Sequence, residues 1–354
     1  METFKQFQQV LEEGGASGHM DHPFDLPQVN TGRDLLQVFQ QAVQSIRETP
    51  PKVKTDGVNT SIKLITNERG EKEFALDRGS MKPIDLEGVT MDRLVDRFKP
   101  GHAIISLAEK VLRIFNNTLP TATEDLISIG MWDNPSLILN IDAIEGQTNV
   151  IQYDENLIVI HNVLKFYQAT TRRRGTKHVE ENYQVALESL ITKFNVYAAP
   201  EGFKVMGDPD ATFKEGLQVN LENVLVNTDF TIDDDTYSLS DWLKAVVNPQ
   251  GFMVKTIEGK KIGAMSKKVY THVLDGMPLD ELVVPEHIDY AKSGAIFYHA
   301  TRIMGDAVLE SLTSDIGDLE MHEGIVINDP RISPNLFKIT GSFIIDGMMS
   351  NFQR

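Results

Sequence analysis

The Pro50-Pro51 pair separates two hydrophobic periodicities, and this break limits the possible folds more than any other local feature. Before it, Leu35, Phe39, Ala42 and Ile46 recur at helical spacing, with Thr31 placed to cap their first turn. Two successive prolines remove backbone donors and stop that helix. After them, Val53, Ile62, Leu64 and Ile65 read as strand, Asn67 to Gly70 as a turn, and Phe74 to Leu76 as the returning strand.

Further strands are predicted at residues 136–144 and 157–163. Residues 183–194, 241–247 and 295–312 read as helices, the last with Ile296, Ala300, Ile303 and Ala307 on one face. Strands return at 324–327 and 336–340 around a turn at 329–334. Strands that open and close a chain with helices between them imply an α+β core interrupted by an insertion. The expected divisions are a helical N-terminal extension (1–50), a first core part (51–166), a helix-rich insertion (167–319) and closing core strands (320–354).

A length of 354 residues allows a sizeable core, and 41% apolar with 24% charged residues is ordinary for a globular protein. The absence of cysteine excludes disulfides and thiolate–zinc sites. The polar N-terminus does not read as a secretory signal, and no apolar run is long enough to span a bilayer, so a cytoplasmic compartment and no membrane partner are expected. A formal net charge of −17 argues against coating nucleic acid through the overall field, but leaves room for a local basic groove.

Chemistry is concentrated in Lys54-Thr55-Asp56-Gly57-Val58-Asn59-Thr60-Ser61. A lysine at a strand end can attack the α-phosphate of a nucleotide once deprotonated, which burial or neighbouring positive charge favours. Gly57 would let the backbone approach the nucleotide. Asp56 and Asn59 would meet polar groups of the ribose or order the loop. Taken alone, K-x-D-G also suits a surface turn. Four later stretches follow in order: Asp77-Arg78-Gly79-Ser80-Met81-Lys82-Pro83, Leu139-Asn140-Ile141-Asp142-Ala143-Ile144, Glu323-Gly324-Ile325-Val326-Ile327 and Leu336-Phe337-Lys338-Ile339. No P-loop, dinucleotide fingerprint, H-E-x-x-H or G-x-S-x-G is present.

This set resembles the motifs of the covalent nucleotidyltransferases, the superfamily of ATP-dependent DNA and RNA ligases and mRNA capping enzymes. The extended K-x-D-G-x-N-x-S is closest to phage-type RNA ligases that seal nicks. The resemblance spans residues 52–166 and 320–345. It implies a ligase adenylation core of antiparallel sheets with helices, ATP and Mg²⁺ as cofactors, and nucleic-acid ends as partners. RNA is slightly favoured over DNA because of Asn59 and Ser61. It further implies that Lys54 forms a lysyl-AMP and that Arg78 holds a ribose hydroxyl or the acceptor phosphate. Asp142 and Glu323 would hold the ribose and a Mg²⁺ shell. Lys338 would neutralise the α-phosphate. Transfer to a cap or a protein, and a virion-associated structural protein with a degenerate ligase fold, are the alternatives.

The chain departs from the family at three positions. Asp142 stands where glutamate is usual, with Glu145 as a rival. The strand at 157–162 offers Ile160 or His161 where an aromatic would stack on the base. Leu336 replaces the first lysine of the closing pair. Few residues follow that motif, so no C-terminal OB-fold is expected. Substrate grip would fall to the N-terminal helices or to the insertion, where Arg172-Arg173-Arg174 with Lys177 and His178 form the densest basic cluster. His19, Asp21, His22 and Asp25 suggest either a metal site or, more simply, an aspartate capping a turn.

Overall fold

The structure, a computed structural model, describes residues 20–146, 151, 153–168, 170, 174–179, 183–319 and 322–342. In chain order the elements that matter for the site are α1 (Gly32–Glu48), β1 (Lys52–Lys54), β2 (Val58–Thr66), β3 (Lys72–Asp77), α2 (Ile104–Ile129), β4 (Leu137–Ile144), β5 (Asn156–Gln168), β6 (Arg174–His178), α3 (Gln184–Ala198), β7 (Phe203–Gly207), α4 (Lys267–Leu274), α5 (Ile288–Glu310), β8 (Gly324–Ile327) and β9 (Phe337–Thr340). The fold is α+β with mainly antiparallel sheets. Among the described residues no helix is long and apolar enough to cross a membrane.

The chain divides into two compact units, one comprising Thr55–Asp208 and the other Met20–Lys54 with the described part of Pro209–Arg354. These boundaries differ from those expected at 50/51, 166/167 and 319/320. Leu35, Phe39 and Ile46 of α1 share one core with Ile325 and Ile339 of the closing strands, so the N-terminal helix is not an appendage. Residues 167–319 are split at 208/209 and mix helices with short strands.

In the Thr55–Asp208 unit the sheet runs β3-β2-β4-β5-β6, and β7 lies parallel to the first half of β5. Alternation along β2 and β4 sends Ile62, Leu64, Leu139 and Ile141 into a core with α2 and α3. Phe115 of α2 stacks on Phe194 of α3 at 4.0 Å, and Phe74 of β3 meets Phe115 edge-on at 5.5 Å. The opposite positions Asn59, Ser61, Lys63, Asn140 and Asp142 make the other face polar. The 26 residues of α2 were not anticipated, and Pro120 lies inside it. Burial of Val111, Leu112, Phe115, Ala122 and Leu126 along one stripe outweighs the backbone bond that proline forfeits.

In the other unit Thr31 accepts from the Asp34 amide while Asp34 accepts from the Thr31 amide, so α1 begins where its capping residue predicted. β1, β8 and β9 form a three-stranded antiparallel sheet. Val53, Ile325 and Ile339 point from its inner face into the core that surrounds α5.

Phe115 is fully buried between two aromatic rings. Phe115→Ala is expected to cost about 3–5 kcal/mol, read as a lowered denaturant midpoint at unchanged slope. A loss below about 1 kcal/mol, well short of that range, would mean that α2 and α3 do not pack in this way.

Candidate active site

The motif residues form two sets, one in each unit. In the first, Lys54 ends β1 and pairs with Gly324 at the start of β8, while Lys338 of β9 pairs with Val326. Residues paired across an antiparallel sheet share a face, as do residues two apart on a strand, so Lys54 and Lys338 both project from the face opposite Val53, Ile325 and Ile339. Glu323, just before β8, places Oε2 2.7 Å from Lys54 Nζ, both side chains being partly exposed. Gly324 has φ +152°, and a Cβ there would lie 2.0 Å from the Ile339 carbonyl oxygen. No other residue fits between Lys54 and β9 at this point.

Lys338 is held below the usual lysine range. Burial lowers it first and the Lys54 cation adds to this, against the pull of Glu323 and Asp25. Asp25 was not foreseen as a member of this set. Its short 3-10 turn, Pro23–Asp25, lies next to β9, where the Lys338 amide donates to the Asp21 carbonyl at 2.9 Å. The Asp25 carboxylate accepts from the His22 amide at 3.1 Å, which is the capping role considered for this segment. His19 lies outside the described residues. Among those described, no group of three His, Cys, Asp or Glu side chains is placed to hold a metal ion.

The second set lies on the polar sheet face of the other unit. Asp142 accepts from Thr55 Oγ1 at 2.6 Å and from Asn59 Nδ2 at 3.0 Å, and His161 Nε2 lies 3.2 Å from it. His161 Nδ1 is bonded to Asp208. Both Asp142 oxygens therefore meet protein donors. These contacts fix the orientation of the Asp142 carboxylate, which has about four acceptor sites in all. The register explains how His161 reaches it. Asn140 pairs with Asn162 but Ile141 pairs with Ile160, so His161 is the extra residue of a β-bulge, which re-aims a side chain locally. Ile160 instead joins the helix-side core.

Asp56 and Asn59 are both tied to neighbouring segments of the unit. The Asp56 amide donates to the Tyr153 hydroxyl at 2.9 Å. The close approach that needs glycine at 57 is to the protein itself, since a Cβ there would stand 2.8 Å from the Asp142 Cβ. Arg78 Nη1 donates to the Asn59 carbonyl at 2.7 Å.

Behind Arg78 lies a buried charge network that sequence reading passed over. Lys63 Nζ stands 2.9 Å from Asp77, Arg97 Nε 2.9 Å from Asp85, and Arg174 bonds to Asp77. Arg174 also donates from its amide to Gly79 O at 3.0 Å and from Nε to Ser80 O at 3.2 Å, with its guanidinium 4.2 Å from the Phe166 ring centroid. It is therefore a clamp on the 77–80 loop and not an exposed phosphate contact, which corrects the reading of the basic cluster for this residue. Arg172 and Arg173 lie outside the described residues. Lys63, alternating with Ile62 and Leu64, reads as a solvent-facing residue, and neither it nor Thr55 nor Asp208 gave a signal in the sequence.

Burial alone would lower His161, but Asp142 and then Asp208 raise it to about 10. Because the folded value exceeds the ordinary 6.5, the stabilisation is fully present below pH 6.5 and is lost as pH rises through about 10. NMR of the imidazole carbons should show a cation throughout pH 7–9. A midpoint near 6.5 would contradict the Asp142–His161–Asp208 arrangement.

No family model, curated protein or solved structure matches the chain.

Proposed function

We propose that this protein is an ATP-dependent nucleotidyltransferase of the polynucleotide-ligase kind. Lys54 Nζ attacks the α-phosphorus of Mg-ATP. The new N–P bond replaces the bond to the bridging oxygen, pyrophosphate leaves, and a lysyl-AMP phosphoramidate remains. AMP then passes to the 5′-phosphate of a nucleic-acid strand, RNA being favoured over DNA from the motif resemblance. An ATP-consuming reaction agrees with the cytoplasmic compartment expected from the sequence.

The observation that carries this reading is the placing of Lys54, Glu323 and Lys338 by one small sheet assembled from the first and last motifs. Lysine attacks only as the free amine, and the Glu323 carboxylate at 2.7 Å is within reach to accept the proton that Nζ gives up. Lys338, on the same sheet face, can offset negative charge that gathers on the α-phosphate during attack. The net charge of −17 and the single closing lysine, Lys338, favour a second reading, a ligase-like fold without transfer activity.

Incubation with α-labelled ATP, followed by denaturing electrophoresis, separates the two. Wild type should retain the label from α-labelled but not γ-labelled ATP, and Lys54→Ala should retain none. Glu323→Ala and Lys338→Ala should each slow labelling by about a hundredfold, with Lys338 acting alone because Leu336 occupies the other lysine position. Asp142→Asn and His161→Gln show whether that set serves the same reaction. Labelling of Lys54→Ala at the wild-type rate would remove the nucleophile assignment, and no labelling of wild type would leave the inactive fold.

A further inference from the structure

Helices α4 and α5 bring a second group of basic side chains together. Gly294, Tyr298 and Arg302 follow one another at intervals of four, forming a ridge along α5. The ridge starts in close contact. A Cβ at Gly294 would lie 2.2 Å from the Ala264 carbonyl oxygen, just ahead of α4. Lys267 and Tyr270, three apart and so on one side of α4, face this ridge. The Tyr270 and Tyr298 rings are 4.6 Å apart, the Tyr270 hydroxyl is 2.8 Å from His299 Nδ1, and the Arg302 guanidinium is 5.9 Å from the Tyr270 centroid.

Arg302 is only 7% exposed, yet among the described residues no Asp or Glu oxygen lies within ion-pair distance of it. The Tyr298 hydroxyl is its hydrogen-bond partner, one group set against five N–H donors. A buried charge without a counter-charge is costly, and nature ordinarily pairs it. The local electrostatics agree. Burial and then the Arg302 charge lower Lys267, and the same two causes, in the same order, lower His299 to about 4, so that the imidazole is neutral. The Arg302 charge thus lies beside neutral hydroxyl and imidazole groups, within electrostatic reach of Lys267.

We propose that Arg302, Lys267 and the Tyr298 hydroxyl form a binding site for a phosphate group. A guanidinium fork, an ammonium and a hydroxyl on two different helices suit a tetrahedral array of oxygens better than a planar carboxylate. The group is either inorganic phosphate or the terminal phosphate of a strand. Only the latter source rests on the function proposed above.

The test uses the full chain carrying Lys54→Ala, which leaves these residues untouched and removes nucleotidyl transfer from the readout. Thermal melting and calorimetric titration with inorganic phosphate are run against chloride at matched ionic strength. Phosphate should raise the melting temperature and bind with a measurable heat. Lys267→Ala should weaken binding about tenfold or more, the loss expected of one charge-assisted hydrogen bond. Arg302→Met should melt at or above the parent temperature without phosphate, since the unpaired buried charge is gone, and should no longer respond to phosphate. Displacement of phosphate by a 5′-phosphorylated oligonucleotide but not by its 5′-hydroxyl twin assigns the site to strand ends, and displacement by neither assigns it to the free ion. Equal melting in phosphate and chloride, or parental affinity in both Lys267→Ala and Arg302→Met, would overturn the site.

Discussion

The register between β1 and β8 is the constraint on which the proposed chemistry depends. Lys54 and Glu323 are 269 positions apart in the chain, yet their contact is set by which residue of one short strand faces which residue of another. Side chains alternate along a strand, so a slip of one residue would turn Val53 outward and bury Lys54 in its place. The apolar partners Val53, Ile325 and Ile339 oppose such a slip from the inner face. Gly324 fixes the neighbouring pairing of β8 with β9, because only a residue without a Cβ can lie against the Ile339 carbonyl. The glycine after the glutamate is thus a packing requirement of the sheet that holds Lys54.

In the Thr55–Asp208 unit, charge is buried to fix a loop. Asp77 and Asp85 are fully buried, and each is matched by a basic side chain, Lys63 and Arg174 for the former and Arg97 for the latter. Such pairs seldom exceed an apolar core in stability, but breaking one strands a charge. Their effect here is geometric: Asp77, Arg174 and Ser80 together hold the turn that carries Arg78. The bulge at His161 has a comparable effect, setting one imidazole between two carboxylates on a face that strict alternation would have left to other residues.

Much of this was legible in the sequence wherever a local rule applied. Thr31, Pro50 and Pro51 bounded α1, and alternating apolar residues gave β2, β4 and the closing strands within a few positions. The motif residues Lys54, Glu323 and Lys338 do come together. What escaped depended on tertiary context. Helix α2 runs through Pro120 because its buried stripe outweighs a local breaker. The unit boundary at 54/55 falls inside the lysine motif itself, and the one at 208/209 falls in a short Gly207-Asp208-Pro209-Asp210 stretch that is not long enough to read as a linker. Arg174 looked like surface charge because its partners, Asp77 and Phe166, lie on other strands. The hydrogen bonds of Asp142 were not legible because its partners, Thr55, Asn59 and His161, come from three separate segments.

The central claim, that Lys54 is the residue modified, is tested most directly by locating the adduct. After incubation with Mg-ATP and quenching at alkaline pH, tandem mass spectrometry of the peptides should find the mass of AMP on the peptide containing Lys54. A lysyl phosphoramidate should be stable to alkali, lost on mild acid treatment, and removed by added pyrophosphate with return of ATP. An adduct on another residue, or an unmodified Lys54 peptide under conditions where the protein is fully folded, would contradict the account.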